Sequence, residues 1–235
     1  MRSCLIQLLL TVAIIVGLLW FGLPFGASWL ATNALGAVGF SGTGTTVEVN
    51  ANLPPRILTG YADSIRLTST QVGVGDLHAA TIDLTLGGVA LFDRTIRTVH
   101  GTLGGVRVPD PEGQPVTFDT VSIDGDAKQA SSTLTISTAE ANRLALSQLK
   151  AHGITGTVVF VAPDKVSVTA GGNPQACHLR VIAGALVLVP DGNALPTLTL
   201  IAPGDGNPFQ LTSATIGAKS ITLVGTIDVQ TLLGI

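Results

Sequence analysis

Charge is scarce in this 235-residue chain. Asp, Glu, Lys and Arg make up 11 % of it and sum to −3, where a soluble domain usually carries ~25 % charged residues. With no basic excess there is no stripe to neutralise phosphates, which argues against nucleic acid as a partner. A chain this poor in charge, with a mean hydropathy of +0.53, is also a poor candidate for disorder, which needs polar and charged composition. Aromatics are few at 4 %, whereas adhesive surfaces lean on exposed aromatics and charged loops. Only Cys4 and Cys177 carry thiols. They lie too far apart, in an apolar N-terminal run and a distant β segment, to suggest a disulfide, and a zinc site needs several ligands at short spacing. Cys177 reads as a small buried apolar side chain.

Catalytic signatures are missing as well. His78, His100, His152 and His178 show no metal-ligand spacing. There is no Gly-x-Ser-x-Gly elbow, and Ile216-Gly-Ala-Lys-Ser220 is too interrupted for a phosphate loop. Asp124-Gly-Asp126, Asp191-Gly-Asn193 and Asp205-Gly-Asn207 lack the remainder of a calcium loop and read as turns. No carboxylate pair stands out as acid and base. The expectation is a protein that is not an enzyme and uses no cofactor and no metal.

What is present begins with a long apolar run. Arg2 is the only charge before Glu48, and Cys4–Leu23 is uninterrupted by any other. About 20 apolar residues match a ~30 Å hydrocarbon core. The lone Arg leaves the N-terminus cytoplasmic and sends the remainder outward, with Trp20, Phe21 and Trp29 suited to the membrane interface. A cleaved signal peptide has a shorter apolar core and an earlier small-residue site than Ala34-Leu35-Gly36-Ala37. An uncleaved signal anchor over residues 1–35, a Gly/Thr-rich linker over 36–46 and an extracytoplasmic domain over 47–235 are therefore expected.

The exported part alternates apolar and polar residues in Val/Ile/Thr-rich runs. Expected strands are Thr45–Asn50, Ser64–Ser69, Thr81–Leu86, Thr133–Ile136, Ile154–Val161, Lys165–Thr169, Leu179–Val189, Leu198–Ile201, Leu211–Ile216 and Ser220–Val229. Clean alternation implies an antiparallel sheet with one dry face and one wet face. Thr85-Leu-Gly-Gly-Val recurs as Thr102-Leu-Gly-Gly-Val. Such a pair marks either a bend inside a strand or an ordinary hairpin turn. Ser137-Thr-Ala-Glu140 is a capping box, with Ala141, Leu144, Ala145 and Leu149 on one helix face and Gly153 as the C-terminal cap. A shorter helix follows Asn52-Leu-Pro-Pro and stops near Gly60, with Ile57, Leu58 and Tyr61 sharing a face.

The order of these features resembles a known family. Asn52-Leu-Pro-Pro through Leu67 resembles its short helix, Gly, acidic residue and first core strand. Val72–Leu91 resembles its glycine-rich segment and alternating strand. Leu134–Leu144 resembles its central helix start, and Pro208–Val229 its closing hairpin, although Phe209-Gln-Leu stands where the family often has Leu-Pro. The family is that of the LmeA-like bacterial phospholipid-binding proteins, and the similarity spans about residues 46–232. It implies a mainly β fold with one or two helices: a long curved antiparallel sheet wrapping a helix, like tubular lipid-binding domains, with phospholipid in an apolar groove. It also implies a role in cell-envelope lipid handling at the membrane. Apolar periodicity nominates the lipid-facing residues: Ile57, Leu58 and Tyr61 on the short helix, Ile65 and Leu67 on the next strand, and Leu84, Leu86 and Leu144 facing inward. The competing expectation is an exported, membrane-tethered structural or adhesion module whose core is filled by its own side chains.

Overall fold

The alternation becomes the two faces of an antiparallel sheet in the computed structural model, which describes residues 40–74, 77–90, 92–93, 95–108, 115–202 and 209–229. The first sheet contains β1 (Phe40–Asn50), β2 (Tyr61–Val74), β3 (Leu77–Ala90), β4 (Thr98–Val108), β5 (Val116–Asp126), β6 (Ala130–Ser137), β12 (Phe209–Ile216) and β13 (Ser220–Ile227). Their order is β1-β2-β3-β4-β5-β6-β13-β12, and the sheet curls into a half-barrel. The chain makes a second sheet from β7 (Gly156–Val161), β8 (Lys165–Ala170), β9 (Asn173–Ile182), β10 (Ala185–Pro190) and β11 (Leu198–Ile201), ordered β11-β10-β9-β8-β7. One long sheet was the expectation, and two are found. The division falls at the only described α-helix, α1 (Thr138–Ala151), which carries the chain from β6 across to β7.

Register explains the faces. One inner row runs across all eight strands through Val47, Leu67, Leu84, Gly101, Ile123, Ser132, Gly225 and Leu211. On the outer face the corresponding row carries Thr81, Thr120, Thr135, Thr222 and Thr215. β-Branched hydroxyl residues suit this wet, pleated side. The glycine pairs 87–88 and 104–105 lie inside β3 and β4, so they are bends and not turns. Gly88 and Gly105 both take φ +59°. Burial changes parity across each pair: Leu84 and Leu86 face inward before the first, whereas Val89 is buried after it. Likewise Val99 precedes the second pair and Val106 follows it. A left-handed residue inserted in an extended strand redirects the side chains that follow.

The ends of α1 are fixed locally. Ser137 Oγ accepts from the Glu140 N–H at 3.1 Å, as a cap should. The other half of the expected box is absent. The Glu140 carboxylate instead accepts from the Thr117 N–H of β5 at 2.9 Å and from Arg143 Nε at 2.8 Å, because β5 brings an unpaired donor to the helix start. At the far end Gly153 has φ +72°. Its N–H donates to the Lys150 carbonyl, and the Ile154 N–H donates to that of Leu149, both at 2.9 Å; this is a Schellman closure. Ala141, Leu144, Ala145 and Leu149 are buried as α1 packs on β5, β6 and β13 of the first sheet and on β7 and β11 of the second. The Pro163 carbonyl, in the β7–β8 turn, accepts from the Ile216 N–H at 2.6 Å and ties the second sheet to the edge of the first.

Three further expectations are corrected. Residues 40–46, expected in the linker, form the first half of β1, because their hydroxyls pair with β2: Thr45 Oγ1 lies 2.8 Å from Ser69 Oγ. The expected strand Leu179–Val189 is a hairpin, turned by Ala183 at φ +50° and Gly184 at φ +79°, both left-handed as a two-residue hairpin turn requires. The short helix Pro54–Thr59 is a 3-10 helix ended by Gly60 at φ +73°. At three residues per turn it separates Ile57 from Leu58, and Tyr61 belongs to β2. The expected transmembrane helix over residues 1–35 lies outside the described residues. Among those, no helix is long and apolar enough to cross a membrane.

Two outcomes follow from this packing. Gly101 has φ +154°, and a Cβ there would collide with the Asp83 carbonyl and the Leu84 Cα of β3. Gly101→Ala is expected to lower the unfolding free energy by about 2 kcal/mol or more. Gly192→Ala, in open space, should stay within about 0.5 kcal/mol of the parent; denaturant titration measures both. For Glu140, the Arg143 hydrogen bonds pull the carboxyl below its ordinary 4.5; partial burial opposes this and the Thr117 N–H adds to it. A depressed folded-state value gives stability that is present above the unfolded value and lost as pH falls through the folded one. Between about pH 6 and pH 3 the wild-type chain should therefore lose more stability than Glu140→Gln, as read by urea midpoints across that range.

Candidate functional site

The inner face of the first sheet is not evenly covered. Over β5, β6 and β13 it is sealed by α1 and the second sheet: Val121, Leu134, Ile136, Ile221 and Leu223 are each at most 1 % exposed. A second, smaller core gathers Val47, Val49, Ala62, Val89, Ile96 and Ala127 near the other edge. Between them lie Ile65, Leu67, Leu84, Leu86 and Leu103, all only half-buried. Leu67 and Leu86 touch both cores. The Leu84 side chain lies over Gly101, which offers no Cβ to fill the wall.

Four of the nominated residues thus meet on one patch. Ile65 pairs with Leu86 and Leu67 with Leu84 across β2 and β3. The other four do not join them there. Ile57 packs against the second core from the 3-10 helix. Leu58 faces solvent at 62 % exposure. Tyr61 opens β2, with the Arg56 guanidinium 4.1 Å above its ring. Leu144 is sealed in the main core at 4 % exposure. Leu103 belongs to the wall, and Val47 and Val49 to the second core beside it, but none of the three is nominated by periodicity. The signals that place them are the Val47-Glu48-Val49 alternation and the repeat at Thr102-Leu103-Gly-Gly.

A depression, about 640 Å³ in volume, lies on the second sheet between Lys165, Ser167, Gln175, His178 and Asp191. His178 is held between two carboxylates: Nδ1 is 2.9 Å from Asp164 Oδ2, and Nε2 is 3.3 Å from Asp191 Oδ1. This joins the β7–β8 turn to the chain after β10. Cys177 lines the same depression, but it is buried, and burial pushes its thiol up, with Asp191 adding to the shift. A protonated, enclosed thiol is a poor nucleophile. Among the described residues no three His, Cys, Asp or Glu side chains are placed to hold a metal ion.

On the outer face, Arg66 binds Asp83 in a fork, Nε to Oδ1 at 3.1 Å and Nη2 to Oδ2 at 2.9 Å. The Arg66 hydrogen bond pulls the exposed Asp83 carboxyl down. His100 pairs with Asp124 nearby. These pairs lie on the solvated side and do not reach the aliphatic patch. The chain matches no known protein family, no characterised protein and no solved structure.

Proposed function

We propose that this chain is a non-enzymatic lipid-binding or lipid-transfer protein of the cell envelope, tethered through its N-terminal apolar run with the β domain on the extracytoplasmic side. The observation that carries it is the half-open aliphatic wall of Ile65, Leu67, Leu84, Leu86 and Leu103 between two filled cores. A hydrocarbon lying on that wall gains ~0.8 kcal/mol per methylene. Six buried methylenes would supply about 5 kcal/mol, enough to offset part of the ordering cost of binding. No charge, metal or nucleophile is required. The likeness of the segment order to the LmeA-like proteins supports the same reading and names phospholipid as the ligand class.

Full-length chain, purified and extracted with organic solvent, should release phospholipid at about one per chain by mass spectrometry. Leu67→Gln/Leu84→Gln should carry about tenfold less while keeping the parent's circular dichroism and a single cooperative unfolding transition. Equal lipid on both proteins, or none on either, would overturn the reading and leave the tethered β module without a ligand.

A further inference from the structure

Three large apolar side chains stand in solvent at one end of the first sheet: Leu53, Leu58 and Phe92, exposed by 51 %, 62 % and 77 %. They come from two segments but share one place. Leu53 caps the start of the 3-10 helix Pro54–Thr59 and Leu58 lies in its last turn. Tyr61, which opens β2, pairs with Ala90 at the end of β3. The Phe92 ring lies against Gly60, where a Cβ would meet its edge. The same 3-10 helix also reaches the sheet. Ile57, next to Leu58, packs on the second core together with Ile65 and Leu86, and Leu67 and Leu84 follow in register.

We propose that this tip is a docking surface for a lipid bilayer, and that hydrocarbon reaches the inner wall through it; the second clause rests on the lipid-binding reading above. Size favours a bilayer over a protein. Three protruding side chains fall far short of the ~1,200 Å² that a stable protein interface or dimer buries. A few apolar side chains sinking ~5–10 Å into the headgroup boundary suffice for interfacial binding. Chemistry at the base of the tip fits the same depth. Arg56 over the Tyr61 ring is a cation on an amphipathic aromatic, a pair suited to the headgroup layer. Described charge at this end is mixed, with Arg56 and Arg97 beside Asp63 and Asp93, so apolar insertion and not anionic attraction provides the hold. Topology leaves the tip accessible. β1 runs from Phe40, opposite Val74, to Asn50, opposite Ser64, so the N-terminal segment joins the sheet ~35 Å of strand away from the tip.

The test places full-length chain in nanodiscs and mixes it with sucrose-loaded phosphatidylcholine vesicles. Wild type should sediment with the vesicles, equally so at about 0.5 M salt, where exposed charges are screened. Leu58→Ser/Phe92→Ser should lower the vesicle-bound to free ratio about tenfold, and Leu53→Ser alone should lower it by a smaller factor, an independent check should the double variant fail to fold. Binding that is unchanged in these variants, or lost in salt, overturns the proposal. So does a wild-type dimer, seen by light scattering without vesicles and abolished by the same substitutions, which would make a second copy the occupant. Lipid carried by the wild type is measured separately, on the same purified full-length chain before disc assembly. A chain that carries phospholipid but does not sediment sinks the docking surface alone. A chain that carries none, yet sediments in a Leu58- and Phe92-dependent way, keeps the docking surface and sinks the lipid-binding reading.

Discussion

A sheet with one apolar face has to hide that face, and the constraint here is one of width. Eight strands at ~4.8 Å spacing span about 34 Å. The helix available to cover them has 14 residues and is about 21 Å long. With the five-stranded sheet beside it, α1 seals β5, β6 and β13 and brings their branched side chains into one core. The rest of the inner face has to protect itself. It does so by curling, so that β1, the β3–β4 connection and the β5–β6 turn meet in a second core of their own. Two cores on one sheet leave a seam, and the half-buried leucines of β2, β3 and β4 occupy it.

Curling of that kind depends on where side chains are absent. Gly88 and Gly105 turn the strand faces partway along β3 and β4. Gly101 and Gly225 sit in the same inner row as Ser132, and at each glycine a Cβ would strike a neighbouring strand's backbone. Ser132 is fully buried, and its hydroxyl meets no partner among the described residues. A polar atom in that position is costly, yet the smaller volume of serine beside Gly225 keeps that part of the row thin. Larger aliphatic residues fill the remainder of the row: Val47, Leu67 and Leu84 before Gly101, Ile123 between Gly101 and Ser132, and Leu211 beyond Gly225. Small residues at Gly101, Ser132 and Gly225, three of the eight places in the row, leave room for the sheet to curl.

This distribution also explains what could be read in advance. Strand alternation and the α1 caps are local, set by residues within a turn of one another. Ser137, Gly153 and the Ile65, Leu67, Leu84 and Leu86 series therefore emerge from sequence alone. The glycine pairs were ambiguous for a physical reason: a hairpin turn and an in-strand bend both use left-handed glycine. Only pairing with β2 and β5, distant in sequence, decides between them. The same holds for Glu140, whose partner Thr117 lies on another strand, and for β5, whose inward parity switches between Phe118 and Val121 and so hides its period. Leu144 looked like Leu84 in periodicity. The difference between a sealed residue and an open one is a property of what lies opposite it, which no periodicity records.

Openness at Leu84 and exposure at Leu58 therefore have to be judged together. Fully burying an aliphatic side chain is worth about 1.5–3 kcal/mol, and neither the five residues of the seam nor the three of the tip realise that gain in the described fold. Single exposed apolar residues are ordinary on protein surfaces. A grouping of them is not, and here Leu53 and Leu58 lie on the same short segment as Ile57, which packs on the second core as Ile65 and Leu86 do, with Leu67 and Leu84 following in register. A self-filling structural module gains nothing from such a series, whose side chains stop short of full burial. A module that receives hydrocarbon needs it continuous, since a gap would force an acyl chain through water at ~0.8 kcal/mol for every methylene exposed. It is the placement of tip and seam along the same strands, more than the apolarity of any one residue, that supports the proposed guest.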